Sequence, residues 1–122
     1  MGEIYCLYST ADGEPRYVGR AENGAQIRLK QHRTLALEKA DGTLYDWIRD
    51  LYRRGFEVDA HILQSDVIPA DLEFYEKYWI AQFPGLLNLR DVTIPPALPT
   101  EIGQKIIVGL KAKLAAEGGQ AS

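Results

Sequence analysis

The sequence predicts a small α+β sandwich, in which a three-stranded antiparallel sheet is flanked by helices and one more helix is appended at the C-terminus. Two short segments near the N-terminus are rich in β-branched and aromatic residues, and a third segment alternates apolar and polar residues. Four further segments carry helix signals. Three strands with helices packed on them make a small sandwich domain.

The composition excludes several classes of protein. The 122 residues are 46% hydrophobic and 25% charged, which excludes a disordered chain and fits a single domain. No apolar run approaches the roughly 18 residues that a membrane helix needs, so we expect no membrane partner. The single cysteine, Cys6, cannot form an internal disulfide, and the first residues do not resemble a secretory signal. We therefore expect a cytoplasmic protein.

The first two strands are predicted to form a hairpin. Residues 3–9 (EIYCLYS) and 16–20 (RYVGR) are typical of strands, and a turn centred on Asp12-Gly13 separates them. Cys6, in the first of these strands, is expected to be a small buried hydrophobic residue.

Two helices are predicted to follow the hairpin. Asn23 is the expected N-cap of a helix over residues 25–38, with Gln26 as its capping-box partner. Thr43 is expected to cap a second helix, which Gly55 ends. The apolar stripe of this second helix consists of Leu44, Trp47, Ile48 and Leu51.

A third strand is predicted over residues 56–64 (FEVDAHILQ), because apolar and polar residues alternate there. One side of this strand is expected to be solvated, and His61 lies on that side. The residues expected to face inward are Phe56, Val58, Ala60 and Ile62.

The third helix contains an unusual acidic residue. Residues 72–83 (LEFYEKYWIAQF) predict an amphipathic helix that ends at Pro84-Gly85. Glu76 lies inside the apolar stripe of this helix, which also contains Leu72, Trp79, Ile80 and Phe83. A carboxylate turned toward a core is costly unless a cation pairs with it.

The last helix follows a proline-rich linker at residues 94–99, and Thr100 is expected to cap it. We favour packing of this helix on its own domain over a homodimer or a contact with a protein partner. The predicted division is therefore a domain over residues 1–93 and a linker, helix and tail over residues 94–122. The apolar stripe of the helix consists of Ile102, Ile106, Leu110 and Leu114.

Charge is distributed unevenly along the chain. The net charge of −3 argues against a non-specific nucleic-acid coat protein. Residues 16–54 nevertheless hold nine Lys/Arg against five Asp/Glu, whereas residues 55–94 hold two against seven. The first half could face a polyanion, although on charge alone we favour an ordinary solvated basic face.

Several side chains could carry chemistry, and each has a simpler structural explanation. Tyr5 and Tyr17, taken singly, are packing rings of the hairpin. Arg28 and His32 are four residues apart and share one helix face. An ionised Glu76 needs a cation, for which Arg28 and a bound Mg²⁺ are the candidates. A buried salt bridge with Arg28, or a rotated helix that exposes Glu76, are the alternatives.

Taken together, these residues resemble the GIY-YIG nuclease domain over about residues 2–91. The two strand motifs of that family match Glu3-Ile4-Tyr5 and Tyr17-Val18-Gly19. The leading glycine of the first motif is missing, because Gly2 lies one residue too early. Further along the chain, the positions that match the family pattern are Arg28, His32, Glu76 in Glu-x-x-Trp-Ile, and Asn88.

The resemblance implies a divalent-metal-dependent DNA endonuclease that hydrolyses phosphodiester bonds. Glu76 would hold Mg²⁺ or Mn²⁺, and Arg28 would grip the phosphate. One of Tyr5 and Tyr17 would act as the general base, and the other would orient the water or the phosphate. A tyrosine pKa is ordinarily about 10, so the cation, Arg28 and a hydrogen bond from His32 would have to lower it.

The other matching positions would bind or position the substrate. Asn88 would position the backbone or the Glu76 end of the site, and Gly19 would let the nucleic-acid backbone approach closely. Arg20, Lys30 and Arg33 are further candidate substrate-binding residues.

Other functions are compatible with the same residues. The chain has no obvious targeting domain, so we expect cleavage to be structure-selective, to need dimerisation, or to be guided by a protein partner. A catalytically silent module that binds nucleic acid or protein is the alternative from another functional class. An RNA-cleaving member of the same fold is a third interpretation.

Overall fold

The computed structural model describes residues 1–88 and 98–121, and it confirms a three-stranded antiparallel sheet flanked by helices. In the sheet, β1 lies between β2 and β3. Within the described residues, no helix combines the length and the apolar character needed to cross a membrane. The elements are β1 (Gly2–Ser9), β2 (Pro15–Ala21), α1 (Ala25–Leu37), α2 (Thr43–Arg53), β3 (Val58–Val67), a 3₁₀ turn (Pro69–Asp71), α3 (Leu72–Ile80) and α4 (Glu101–Ala121).

The hairpin of β1 and β2 forms as predicted and fixes the register of the two tyrosine-bearing strands. Tyr5 lies opposite Gly19, and Leu7 lies opposite Tyr17. In the turn, Gly13 has a φ of 73°, a conformation that suits glycine, and its N–H donates to Ser9 O over 2.9 Å. Tyr5 and Tyr17 therefore stand on the same face of the sheet.

The sheet separates two apolar clusters. One face, covered by α1 and α2, contains Tyr5, Leu7, Ala21, Ala25, Leu29, Ala36, Ile48, Leu51 and Val58. The opposite face, covered by α3 and α4, contains Ile4, Cys6, Tyr8, Val18, Val67, Leu72, Trp79, Ile80, Phe83 and Leu110. Cys6 is fully buried there, as predicted, and burial raises the pKa of its thiol to about 12.

The N-termini of α1 and α2 differ from the prediction. Gly24 is the N-cap of α1, and neither Asn23 nor Gln26 forms the predicted capping box. Instead, the Ala25 N–H donates to Glu3 Oε1 over 2.7 Å, so a carboxylate from β1 caps the helix. Gly42 is the N-cap of α2, and Thr43 makes no capping bond. A sequence pattern indicates only caps supplied by residues next to the helix. It therefore could not predict a cap from Glu3, which lies 22 positions from Ala25.

The third strand lies two to three residues further along the chain than predicted, because β3 spans Val58–Val67. Register shifts against β1 occur between Gly2 and Ile4 and between Ile4 and Tyr5, which breaks the simple alternation. Phe56 lies before the strand and is exposed, as is Ile62, so the prediction that both face inward is wrong. The prediction of a surface position for His61 is also wrong, because its side chain is half-buried.

The last helix packs on its own domain, as favoured. Thr100 Oγ1 accepts the Gly103 N–H over 3.2 Å, which confirms the predicted cap. Leu110 is buried in the cluster on the α3 side, and Ile106 and Leu114 pack against it. The backbone is helical to Ala121, so the predicted tail belongs largely to the helix. Most of the predicted linker lies outside the described residues, since the structure does not describe residues 89–97.

Candidate active site

A cavity of about 760 Å³ opens between the starts of α1 and α2 and the Glu76 side of α3. Its walls come from six parts of the chain: β1, β2, α1, α2, α3 and the segment after α3. Six of the predicted site residues line it, namely Tyr5, Tyr17, Arg20, Arg28, Glu76 and Asn88. Residues up to 83 positions apart in sequence therefore meet in one place.

Tyr5 is the most enclosed member of this group. Its side chain is fully buried, and its hydroxyl lies 3.0 Å from His32 Nε2, within hydrogen-bonding distance. A Cβ on residue 19 would lie 2.5 Å from the Tyr5 hydroxyl oxygen and 2.9 Å from Tyr17 Cε2. The two tyrosine rings therefore leave no space for a side chain at position 19. This reason for glycine differs from the predicted one, which was the close approach of a nucleic-acid backbone.

His32 lies at the centre of an aromatic cluster. Its ring centroid is 6.4 Å from that of Tyr5, 5.6 Å from that of Tyr17 and 6.0 Å from that of Tyr45. Burial, reinforced by the positive charge of Arg28, lowers the pKa of His32 to about 4, so the imidazole is neutral at physiological pH. His32 Nδ1 is buried without a hydrogen-bond partner in the described structure.

Both candidate bases are harder to ionise than free tyrosine. Burial raises the pKa of Tyr5, and the neighbouring Tyr17 adds to this effect. Burial also raises the pKa of Tyr17, and the charge of Glu76 raises it further. Arg28 lowers both pKa values, as expected, but its effect is smaller than that of burial. Without a bound cation, Arg28 therefore does not bring the pKa of either tyrosine below its ordinary value.

Glu76 is turned toward the tyrosines rather than away from them. Its side chain is half-buried and lines the cavity, and its charge contributes to the pKa values of Tyr5 and Tyr17. Arg28 is also half-buried, and its guanidinium donates to Gln31 Oε1 over 2.6 Å. The carboxylate on α3 and the guanidinium on α1 thus face the same space. Glu73 and Lys77 pair with each other, 3.3 Å apart, elsewhere on α3.

Asn88 lines the cavity and is hydrogen-bonded to the backbone of β2. Its Oδ1 accepts the Val18 N–H over 3.0 Å, and its Nδ2 donates to Val18 O over 2.7 Å. The Leu87 N–H donates to Arg16 O on the same strand. These bonds occupy the outer edge of β2, so the segment after α3 lies along it as an additional strand would. Asn88 thereby fixes the backbone between Tyr17 and Gly19.

The three candidate substrate-binding cations have different surroundings. Arg20 is exposed and lines the cavity. Lys30 is exposed on α1 and lines a shallow groove that adjoins the cavity. Arg33 does not line the cavity, because its guanidinium donates to Val58 O over 2.7 Å and anchors the start of β3. Arg33 is therefore part of the packing between α1 and the sheet.

Tyr45 is the main site residue that sequence reasoning missed. It lies in the first turn of α2, lines the cavity and contacts His32. A signal was present in the sequence, since Tyr45 precedes the buried Ile48 by three residues and shares its helix face. Glu22 at the end of β2 and Ile27 on α1 also line the cavity and were not identified.

The residues fit a loosely held magnesium ion. Among the described residues, no cluster of three or more His, Cys, Asp or Glu could enclose a metal. Mg²⁺ does not need such a cluster, because it keeps several waters and is commonly bound through one or two carboxylates and substrate phosphates. Glu76 provides one carboxylate inside the cavity, and Glu22 lines the same cavity.

Comparisons with known proteins assign neither a family nor a function to the chain. No family model matches the chain, and neither a curated protein nor a solved structure matches it. The interpretation of this cavity therefore depends on its own residues.

Proposed function

We propose that the protein is a divalent-metal-dependent endonuclease of the GIY-YIG type, which hydrolyses phosphodiester bonds in DNA. The observation that carries the proposal is the convergence of Tyr5, Tyr17, Arg28 and Glu76 on one cavity from four separate elements. Two phenols, a guanidinium and a carboxylate can together bind a phosphate, hold a cation and accept a proton.

Arg28 and Glu76 would divide the binding of the scissile group between them. Arg28 would donate hydrogen bonds to the non-bridging phosphate oxygens, since its planar guanidinium matches that geometry. Glu76 would hold the Mg²⁺ ion, with Glu22 as a second carboxylate at the same cavity. When bound, the ion supplies positive charge that stabilises the phosphate and the leaving oxygen.

Tyr17 is the better candidate for the general base. Tyr5 is fully buried and its hydroxyl is engaged with His32, whereas Tyr17 is only partly buried. In the proposed step, Tyr17 as phenolate takes a proton from water, and the water oxygen attacks phosphorus. The bond from phosphorus to the leaving oxygen breaks, and that oxygen takes a proton from solvent. Tyr5 and His32 would keep the Tyr17 ring in position.

Cleavage of supercoiled plasmid and of branched DNA tests the proposal, in Mg²⁺ and then with chelator. We expect metal-dependent cleavage that Glu76→Ala, Arg28→Ala and Tyr17→Phe each reduce by about 100-fold or more, the range for loss of a charge-stabilising or acid–base group. Glu73→Ala is the matched control, because it removes an exposed carboxylate of the same helix. Equal activity of Glu76→Ala and Glu73→Ala would contradict the proposed role of Glu76.

A catalytically silent binding module is the second candidate. The observation that favours it is the raised pKa of both tyrosines, which leaves no ionised base at neutral pH before a cation binds. Binding of DNA without cleavage in Mg²⁺ or Mn²⁺, unaffected by Glu76→Ala, would support this module over the nuclease.

A further inference from the structure

We infer that the outer face of α1 carries a binding track for single-stranded DNA, which continues the site cavity along the helix. The inference rests on the proposed function, because it names the form of DNA that reaches the site. A shallow groove of about 520 Å³ runs along this face. Its lining residues are Ile27, Arg28, Lys30, Gln31, Thr34 and Leu35.

The groove and the cavity are continuous. Ile27, Arg28 and Gln31 line both of them. Arg28 stands at the junction, so a strand whose phosphate is held by Arg28 can extend directly into the groove. The eight-residue step from Ile27 to Leu35 is about 12 Å of helix, the length of about three to four stacked nucleotides at roughly 3.4 Å each.

The charge of the groove matches a polyanion. Two of its six described lining residues, Arg28 and Lys30, are basic, and none is acidic. Lys30 is exposed, and like Lys39 and Lys113 it forms no ion pair within the described part of the chain. The Lys30 ammonium is therefore available to a phosphate at the point where the groove leaves the cavity.

The apolar residues of the groove favour an unpaired strand over a duplex. Ile27 is 51% exposed and Leu35 is 37% exposed, so both aliphatic side chains are accessible in the groove that Lys30 also lines. The outside of a duplex presents phosphates and sugars, which gain little from aliphatic contacts. An unpaired strand exposes the faces of its bases, which pack against apolar side chains while the phosphates meet the cations.

Fluorescence anisotropy in chelator tests the track without cleavage. The probes are an unpaired 15-nucleotide DNA, the same DNA annealed to its complement, and an RNA of the same sequence. We expect the unpaired DNA to bind about tenfold tighter than the duplex. Lys30→Ala should weaken its binding and reduce the salt dependence by about one phosphate contact. Ile27→Ser and Leu35→Ser should each weaken its binding by about fivefold through lost apolar contact.

Two variants of α4 serve as matched controls. Lys113→Ala removes an exposed lysine, and Val108→Ser removes an exposed aliphatic side chain that is 60% accessible. Both should bind as the wild type does. Equal losses in the α1 and α4 variants, or no loss in either, would overturn the track. Tighter binding of the duplex or of the RNA would overturn single-stranded DNA as its occupant.

The plasmid and branched-DNA assay separates the two proposals. If the wild type cleaves DNA while the α1 variants bind as tightly as it does, the nuclease stands and the track fails. If nothing is cleaved but the α1 variants lose affinity for the unpaired strand, the track stands and the nuclease fails.

Discussion

At the scale of single residues, the side chain of Tyr5 restricts which residues can occupy the positions that contact it. His32 lies at hydrogen-bonding distance from its hydroxyl, and the backbone of Gly19 lies directly against its ring. Gly19 does not have a left-handed φ, so the requirement for glycine is one of space alone. A motif glycine can thus be needed by the protein's own side chains and not by a ligand.

Gly19→Ala should destabilise the fold and disturb the site together. The added Cβ would overlap the Tyr5 ring, so we expect the free energy of unfolding to fall by about 1–3 kcal/mol, as for overpacked cores. Urea denaturation measures this change. Gly109→Ala is the control, because no atom lies within 4 Å of its new Cβ and alanine favours a helix by up to about 1 kcal/mol. A neutral Gly19→Ala would show that the Tyr5 ring is not fixed.

His32 should make the fold sensitive to acid. Its folded pKa of about 4 lies below the ordinary value of 6.5, so below pH 6.5 the unfolded chain binds a proton that the folded chain does not. The free energy of unfolding should therefore fall between pH 6.5 and 4, by about 2–3 kcal/mol from this residue.

Urea denaturation at several pH values checks this prediction in the wild type and in His32→Gln. The variant should lose most of this dependence, because glutamine does not titrate. His61→Gln is the comparison, since burial and then Lys113 also lower the pKa of His61. An unchanged pH profile in His32→Gln would contradict the buried neutral imidazole.

At the scale of elements, α1 is oriented by the strand beneath it. The carboxylate of Glu3 caps the first N–H of the helix, and Arg28 and His32 follow within the next two turns. Glu3 stands where the GIY-YIG motif, which the sequence resembles, has its leading glycine. The departure from the motif is therefore accompanied by a contact that ties β1 to the helix carrying two site residues.

Glu3→Ala and Asn23→Ala distinguish the observed cap from the one that local sequence favours. We expect Glu3→Ala to lower the free energy of unfolding by about 1 kcal/mol, the usual effect of losing an N-cap. Asn23→Ala should change it by no more than about 0.5 kcal/mol, because Asn23 makes no capping bond. Thermal and urea denaturation measure both values. The reverse order of the two effects would mean that Asn23 caps the helix in solution.

At the scale of the whole molecule, α4 completes the core on the side of the sheet away from the tyrosines. It approaches the rest of the domain closely at Gly103, where a Cβ would overlap the Gln82 carbonyl oxygen. Thr100 reinforces the contact, because its N–H donates to Gln82 O and its Oγ1 lies 2.6 Å from Gln82 Oε1. The helix thus holds the end of α3, the element that carries Glu76.

Gly103→Val should loosen α4 from the domain. The new side chain meets backbone that cannot rotate away, so we expect a loss of about 1–3 kcal/mol in the free energy of unfolding. Urea denaturation measures the loss, and binding of a hydrophobic dye reports exposure of the cluster around Leu110. Ile102→Val, at a position already 44% exposed, is the control and should change little. Similar stabilities for the two variants would contradict close packing of α4.

The amino-acid sequence alone was sufficient to predict the element types and the fold class, because helical spacing, strand alternation and turn residues are local signals. It also indicated Tyr5, Tyr17, Arg28, Glu76 and Asn88 as a set, through spacing and the family resemblance. The inward turn of Glu76 was predictable for the same reason, since its position in an apolar stripe is local.

The contacts between distant segments could not be predicted from the sequence and became known from the folded structure. The Glu3 cap, the pairing of Asn88 with Val18 and the use of Arg33 to anchor β3 each join residues more than 20 positions apart. The raised tyrosine pKa values also depend on how completely the packed helices exclude water. Burial and long-range hydrogen bonds are properties of the folded chain, and no local pattern specifies them.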